Sequence, residues 1–198
     1  MNKSVNVQRA SDRMVFMMTR CGILAAMAVI LYYLEIPVVA FYKLDLSALP
    51  ALLAGFSMGP LAGFVIIVVK NVIHLFASRT AFIGELADTL MSGVFVVVAS
   101  LIYKNNKTLK GAIMGMVLSI LFLVVSAVLV NYFILIPTYM DKAKMDFSVI
   151  MNMVGIPGVD SMLKLVLMVT APFNLLKGCV ISVITFLLYK RLSPFLHQ

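Results

Sequence analysis

An all-α polytopic membrane protein of six transmembrane helices is the fold class this sequence predicts, and three observations predict it. Hydrophobic residues make up 63% of the 198-residue chain and charged ones 12%, against roughly 45–50% and about 25% in soluble domains. One soluble core cannot absorb so much apolar surface, so lipid must be part of the solvent. Long charge-free runs also alternate with short basic segments, the pattern that membrane topology imposes. Finally, the chain length accommodates about six crossings at ~20 residues each, helical hairpins included. One integral membrane domain over residues 1–198 follows.

The first span covers residues 14–34. Arg20 sits about a turn and a half inside it and can reach back to the near interface. Gly22, Ala25, Ala26 and Val29 share one face. Small residues there let another helix approach closely, from this chain or from a partner. No small-residue cleavage site follows the basic N-terminal segment, so this span is expected to remain in place.

An apolar loop follows and ends in the polar knot Tyr42, Lys43, Leu44 and Asp45; it reads as an outer loop covering a ligand pocket. Span two, residues 46–56, carries Pro50 in its first turns, where a missing N–H costs least. Ser57-Met58-Gly59-Pro60 is a tight turn into span three, residues 61–76. Span four is residues 83–103. Span five is residues 111–136, with Pro137 expected to end it. Span six is residues 161–189, with Pro172 as a kink. The outer loop of residues 141–160 is rich in methionine (Met145, Met151, Met153). It reads either as a flexible cover for a flat ring or as an interfacial helix.

Lysine and arginine counts set the orientation. The N-terminus, the loop of residues 104–110 and the C-terminus carry nine basic residues against one acid, Asp12. The other side carries five basic residues (Lys43, Arg79, Lys142, Lys144, Lys164) and seven acids. Both termini are therefore expected in the cytoplasm. The net charge of +8 is explained by this asymmetry, so nucleic acid is not an expected partner. Lipid is.

Ionisable groups at membrane depth cost about 2.5–3.5 kcal/mol each on insertion scales, so each needs a reason. Lys177 lies between charge-free runs with Asn174 one turn earlier, and Asn131 interrupts the fifth span. Asn131 is ~9 Å below the outer end and Lys177 ~21 Å from Arg191 at 1.5 Å per residue. The three can meet in the outer half. They read as hydrogen-bond donors for a polar ligand or, for Lys177, as a salt bridge to Asp88 or Glu85. Lys70 and His74 share a face of span three, and Glu85 and Asp88 share one of span four. A Lys70–Asp88 bridge and a packed His74 are expected there.

Enzyme chemistry finds no footing. The histidines are His74 and the tail residue His197, so neither a Ser-His pair nor a metal cluster can be built. No P-loop motif is present. Cys21 and Cys179 lie in apolar runs and read as small buried residues, with no disulfide framework or metal spacing. A lipid-metabolising membrane enzyme would want an Asp- or His-rich motif at the inner face, and a plain scaffold would not need Lys177 and Asn174 at depth.

Across nearly its whole length the sequence resembles the substrate-binding S components of energy-coupling factor (ECF) vitamin transporters, most closely the riboflavin-specific ones. The resemblance rests on CGILAAMAVIL, FYKLDLSALP, GFSMGPLAGF, VVKNVIHL, FIGELADTL and FNLLKG, in that order and spacing. It implies a six-helix fold binding one vitamin near the outer face, no cofactor, a membrane coupling subunit and two partner ATPases. It implies a riboflavin site formed by Tyr42, Leu44, Asp45 and Leu46 of the first loop together with Glu85, Asn131, Asn174 and Lys177. The face of Gly22, Ala25, Ala26 and Val29 matches the family's docking surface for the coupling subunit. The family often has Asn where this chain has Asp88, which leaves Asp88 outside the implied site. Another vitamin or a flavin nucleotide is the nearest alternative, and a phosphate would want more cationic groups near Lys177.

Overall fold

The computed structural model describes the chain except residues 1, 40–41, 79–81, 143, 145 and 197–198, and side chains for Ser11 and from Met14 to Tyr189 apart from those gaps. Arg79, Met145 and His197 lie outside the described residues, as do the side chains of Lys3, Arg9, Asp12, Arg13, Lys190 and Arg191.

Helix α1 (Asn2–Tyr33) leads into an antiparallel hairpin of β1 (Ile36–Val39) and β2 (Tyr42–Leu44). Helices α2 (Ala48–Met58), α3 (Pro60–Leu75), α4 (Ile83–Asn105) and α5 (Leu109–Val130) follow. A π-helical turn, Asn131–Leu135, joins α5 to α6 (Ile136–Lys142). After α7 (Phe147–Val154) and α8 (Met162–Leu165), a second π-helical turn, Val166–Thr170, leads into α9 (Ala171–Leu196).

Among the described residues, four stretches are long and apolar enough to cross a membrane: Met14–Tyr33, Ile83–Asn105, Leu109–Lys142 and Met162–Tyr189. The spans expected at 46–56 and 61–76 form as helices of 11 and 16 residues. At 1.5 Å per residue they reach only ~16 and ~24 Å, short of the ~30 Å hydrocarbon core. Their shortness has a local cause. Gly59 adopts φ 104°, a conformation open to glycine, and Pro60 starts a new helix where its missing N–H is harmless. The two helices then pack tightly. A Cβ at Gly63 would sit 2.7 Å from the Ala51 carbonyl oxygen and 2.6 Å from Val96 Cγ1.

Helix α2 lies at the centre, against α1, α3, α4 and α9. Every residue from Ala48 to Phe56 is buried, which is where a helix apolar on all sides belongs.

The expectation that Pro137 ends the fifth span is corrected: the helix runs on to Lys142. Pro137 offers no N–H to the carbonyl four residues back. The chain widens into a π turn just before it, and the Ile136 N–H bonds the Asn131 carbonyl. Pro172 is accommodated in the same way, the Ala171 N–H reaching the Val166 carbonyl. In the methionine-rich segment, α7 buries Ile150 and Val154, so it packs as a short helix on the protein. Cys179, expected to be buried, is exposed on α9, and Cys21 is half-buried with its thiol 3.7 Å from Met58 Sδ.

Apolar packing separates into two clusters. One holds α2 with Ile66, Phe95, Ala99, Tyr103, Met116, Ile120, Ile181 and Tyr189. The other holds Tyr42, Ile83, Ala87, Val130, Ile136, Ile150, Leu165 and Val169. Helices α4 and α5 contribute to both, and the segment from α8 to α9 does likewise. Along α4, Asp88 and Ser92 fall between its contributions; between Val169 and Ile181 fall Asn174 and Lys177. A buried polar layer therefore separates the two cores.

Candidate functional site

The layer is built from a closed ring of contacts. Lys70 Nζ of α3 lies 2.7 Å from Asp88 Oδ2 of α4 and donates to Ser47 Oγ at 2.7 Å. Ser47, just before α2, donates its backbone N–H to Asp45 Oδ1 at 2.9 Å and its hydroxyl to the same oxygen. Asp45 Oδ2 accepts from Lys177 Nζ of α9 at 2.7 Å, and Lys177 returns to Asp88 Oδ1 at 3.8 Å. Two lysines and two aspartates thus neutralise one another across four segments. Buried charges persist only when paired and hydrogen-bonded in this way. Asp45 sits in the link between β2 and α2. Burial by itself would raise its carboxyl, but Lys177 and Lys70 outweigh that and hold it below the ordinary carboxylate value.

Further bonds extend the ring. Asn71 Nδ2 donates to Asp88 Oδ2 at 3.0 Å and Ser92 Oγ to Asp88 Oδ1 at 2.9 Å. The expected faces of α3 and α4 meet as an antiparallel ladder: Lys70 on Asp88, and one turn on, His74 Nδ1 2.8 Å from Glu85 Oε1. His74 also packs edge-on to the Tyr32 ring at 4.3 Å.

The two π turns supply a second cluster. The first opens on Asn131 and the second closes on Thr170, and the Tyr42 hydroxyl of the hairpin meets both. It donates to Asn131 Oδ1 at 3.3 Å and shares a hydrogen bond with Thr170 Oγ1. Asn174 donates to the Thr170 carbonyl at 2.9 Å and Asn131 to the Ala127 carbonyl at 2.8 Å. An i to i−4 bond of this kind steadies a side chain while leaving other atoms for a ligand.

Part of the ring and of the second cluster borders a cavity of about 480 Å³, within the range of small-molecule sites. Of the expected ligand residues, Tyr42, Asp45, Glu85, Asn131, Asn174 and Lys177 line it; Leu44 and Leu46 do not. Apolar and aromatic lining comes from Tyr32, Met91, Leu135, Tyr139 and Phe173. Sequence reasoning missed Tyr32, Phe173 and Thr170. For Thr170 a signal existed, since it precedes Asn174 by four residues and so shares its face. Asp88, left outside the implied site, lines the cavity.

The residues implied as a docking face do not behave alike. Gly22 and Ala26 are exposed, while Ala25 and Val29 are half-buried, Ala25 against the chain's own core. A Cβ on Gly22 would meet nothing within 4 Å.

Comparison with known proteins bears on the whole chain. The family described as ECF transporter, substrate-specific component, matches residues 16–189. Riboflavin transporter RibU of Staphylococcus aureus (strain TCH60) is 32% identical over 180 residues, covering 89% of this chain and 90% of that one. Riboflavin transporter FmnP of Bacillus subtilis (strain 168) is 25% identical over 186 residues, covering 89% and 92%. A solved S component of a bacterial ECF transporter superposes with a TM-score of 0.75 at 29% identity, covering 93% of this chain and 99% of that one. ThiT from Listeria monocytogenes shares the fold, with a TM-score of 0.58 at 18% identity, covering 93% and 98%.

Proposed function

The chain belongs to the family of ECF transporter substrate-specific components, and on that premise we propose that it is a high-affinity riboflavin-binding subunit. It captures the vitamin at the outer face of the bacterial cell membrane for ATP-driven uptake by a membrane coupling subunit and two ATPases. The relatives named as riboflavin transporters support the choice of vitamin.

The observation that carries the proposal is the composition of the cavity. Isoalloxazine is a flat amphipathic ring, suited to an apolar slot with a few placed polar groups. The chain has no tryptophan, so ring contacts fall to Tyr, Phe, Met and Leu. The ribityl hydroxyls need donors and acceptors, and Asp45, Asn131, Asn174 and Lys177 provide them at the cavity wall. The hairpin, which includes Leu44, covers the site with Leu46 just beyond it, and Glu85 borders it.

The rest of the reading follows from sequence and shape. Residues 1–198 form one integral membrane domain. Helices α2 and α3, each shorter than the hydrocarbon core, serve as two short passes beside the four longer stretches, which makes six, and the basic side puts both termini in the cytoplasm. Gly22 and Ala26, with the half-buried Ala25 and Val29 at their edge, form the face toward the coupling subunit, where small side chains permit close helix approach.

The test is direct. The purified chain, stripped of ligand, is titrated with riboflavin while flavin fluorescence is followed. Saturable quenching at one equivalent is expected. Absence of quenching, with saturable binding of a different vitamin instead, would overturn the proposal.

A further inference from the structure

A second cavity lies at the far end of α4. The first is bordered by residues from Gly84 to Met91, near the start of that helix, and this one by Tyr103 and Lys104, near its end. Gly84 and Tyr103 are ~28 Å apart at 1.5 Å per residue, so the two are separate sites. The second cavity holds about 300 Å³, at the lower end of the range for small-molecule sites. The turn between α2 and α3 forms one wall. Gly59 shapes that turn with φ 104°, and a Cβ there would meet nothing within 4 Å. Phe56 and Tyr103 supply aromatic surface, their ring centroids 4.7 Å apart. The Tyr103 hydroxyl is bonded to that of Tyr189, so what Tyr103 offers the cavity is its ring.

Lys104 and Lys107 border the same cavity and are exposed. Among the described residues its lining holds no carboxylate, and neither lysine has an ion-pair partner. The sequence has no acid between Asp88 and Asp141 to supply one locally. This is the reverse of the first cavity, where Lys43 and Lys177 are both paired. Apolar surface continues outward from the second cavity. Leu61 lines it, and Phe64 and Val65, three and four residues on along α3, are exposed on the same side.

We propose that this cavity binds one anionic phospholipid, its phosphate held by Lys104 and Lys107 and an acyl chain lying along Leu61, Phe64 and Val65. Basic pockets at the ends of membrane helices suit lipid phosphates, and each lysine beside an anionic surface is worth about a fivefold gain. A free phosphate would make no use of the apolar row. A zwitterionic headgroup brings its own cation and gains less from two lysines.

The experiment measures lipid retention. The full-length chain is delipidated in dodecyl maltoside and titrated separately with dioleoylphosphatidylglycerol and dioleoylphosphatidylcholine, and bound lipid is counted by native mass spectrometry. One equivalent of phosphatidylglycerol is expected to bind at least about tenfold more tightly than phosphatidylcholine. In the double variant Lys104→Gln with Lys107→Gln, the two lipids are expected to come within about twofold of each other. Lys107→Gln alone is expected to narrow the preference by about fivefold, and it carries the test if melting shows the double variant unfolded. Lys110→Gln removes the same charge from the same loop but outside the cavity, and the preference is expected to persist. Equal affinity for the two lipids in the unmodified chain would overturn the inference. So would an unchanged preference in the folded Lys104 and Lys107 variants, or an equal loss in Lys110→Gln, which would reduce the effect to general surface charge. Displacement of phosphatidylglycerol by millimolar inorganic phosphate would assign the cavity to a free anion instead. Weaker assembly with the coupling subunit in the double variant, with lipid preference unchanged, would assign the lysines to a protein partner and overturn the lipid site.

Discussion

Lys70 and Lys177 belong to one ring of charges, yet their surroundings differ. Lys70 is 1% exposed and enclosed by Asp88, Ser47 and the face of the Tyr32 ring, 4.2 Å from its ammonium. It does not line the cavity. Lys177 has one close carboxylate, a second at 3.8 Å, and a place on the cavity wall. An ammonium has three donors. Those of Lys70 are directed into the protein, whereas Lys177 keeps capacity toward the space a ligand would fill. A buried charge at membrane depth is therefore not in itself the mark of a binding site. What distinguishes the two lysines is whether a cavity lies on the far side of the ion pair.

The largest expected effect separates these roles. Lys70→Ala leaves Asp88 buried with its close cation removed, and loss of one partner of a buried pair costs about 3–5 kcal/mol. Melting of the ligand-free protein in detergent is expected to show a larger fall for Lys70→Ala than for Lys177→Ala. Equal falls would break the comparison, since both lysines would then be structural to the same degree.

Next in size is a change remote from both lysines. Ala26→Leu places bulk on an exposed part of α1, where a partner helix would need close approach. Uptake by the assembled transporter is expected to fall at least about tenfold, with riboflavin binding by the isolated chain intact. Loss of both together would show that this face packs internally.

Smaller effects are expected at the π turns. Asn131→Ala removes a neutral amide, for about 0.5–1.5 kcal/mol of binding, read as a change in riboflavin dissociation constant. Tyr42→Phe removes the hydroxyl that joins the hairpin to Asn131 and Thr170. About 0.5–1.5 kcal/mol of ligand-free stability is expected to go with it, seen as a modest shift in the melting curve.

Much of the helical layout was legible because charge-free runs are long and Gly59-Pro60 breaks one of them. The Lys70–Asp88 bridge was legible too, from the helical spacing that pairs Lys70 with His74 and Asp88 with Glu85. Other features were hidden for physical reasons. Lys177 pairs with Asp45 across 132 residues of sequence, a distance at which no local periodicity operates. Pro137 read as a terminator because proline removes a hydrogen bond; the π turn that absorbs the loss has no signature in residue type. The stretch that forms β1 and β2 read as a loop, since Pro37 interrupts its alternation and β1 is only four residues long. At the cavity, polarity at depth pointed to Asn131, Asn174 and Lys177, whereas Tyr32 and Phe173 carry no such mark in the sequence and reach the cavity only through the fold.

The central claim is that the cavity between the hairpin, α4 and α9 holds the vitamin. Riboflavin titrations of Lys177→Ala and Asn174→Ala, with ligand-free melting run in parallel, test it most directly. The lost hydrogen bonds predict affinity lower by roughly tenfold to a hundredfold, about 1.5–3 kcal/mol, in protein that is still folded at the titration temperature. A purely structural role for Lys177 predicts lower melting and nearly unchanged affinity. Unchanged affinity in both variants would contradict this placement of the site.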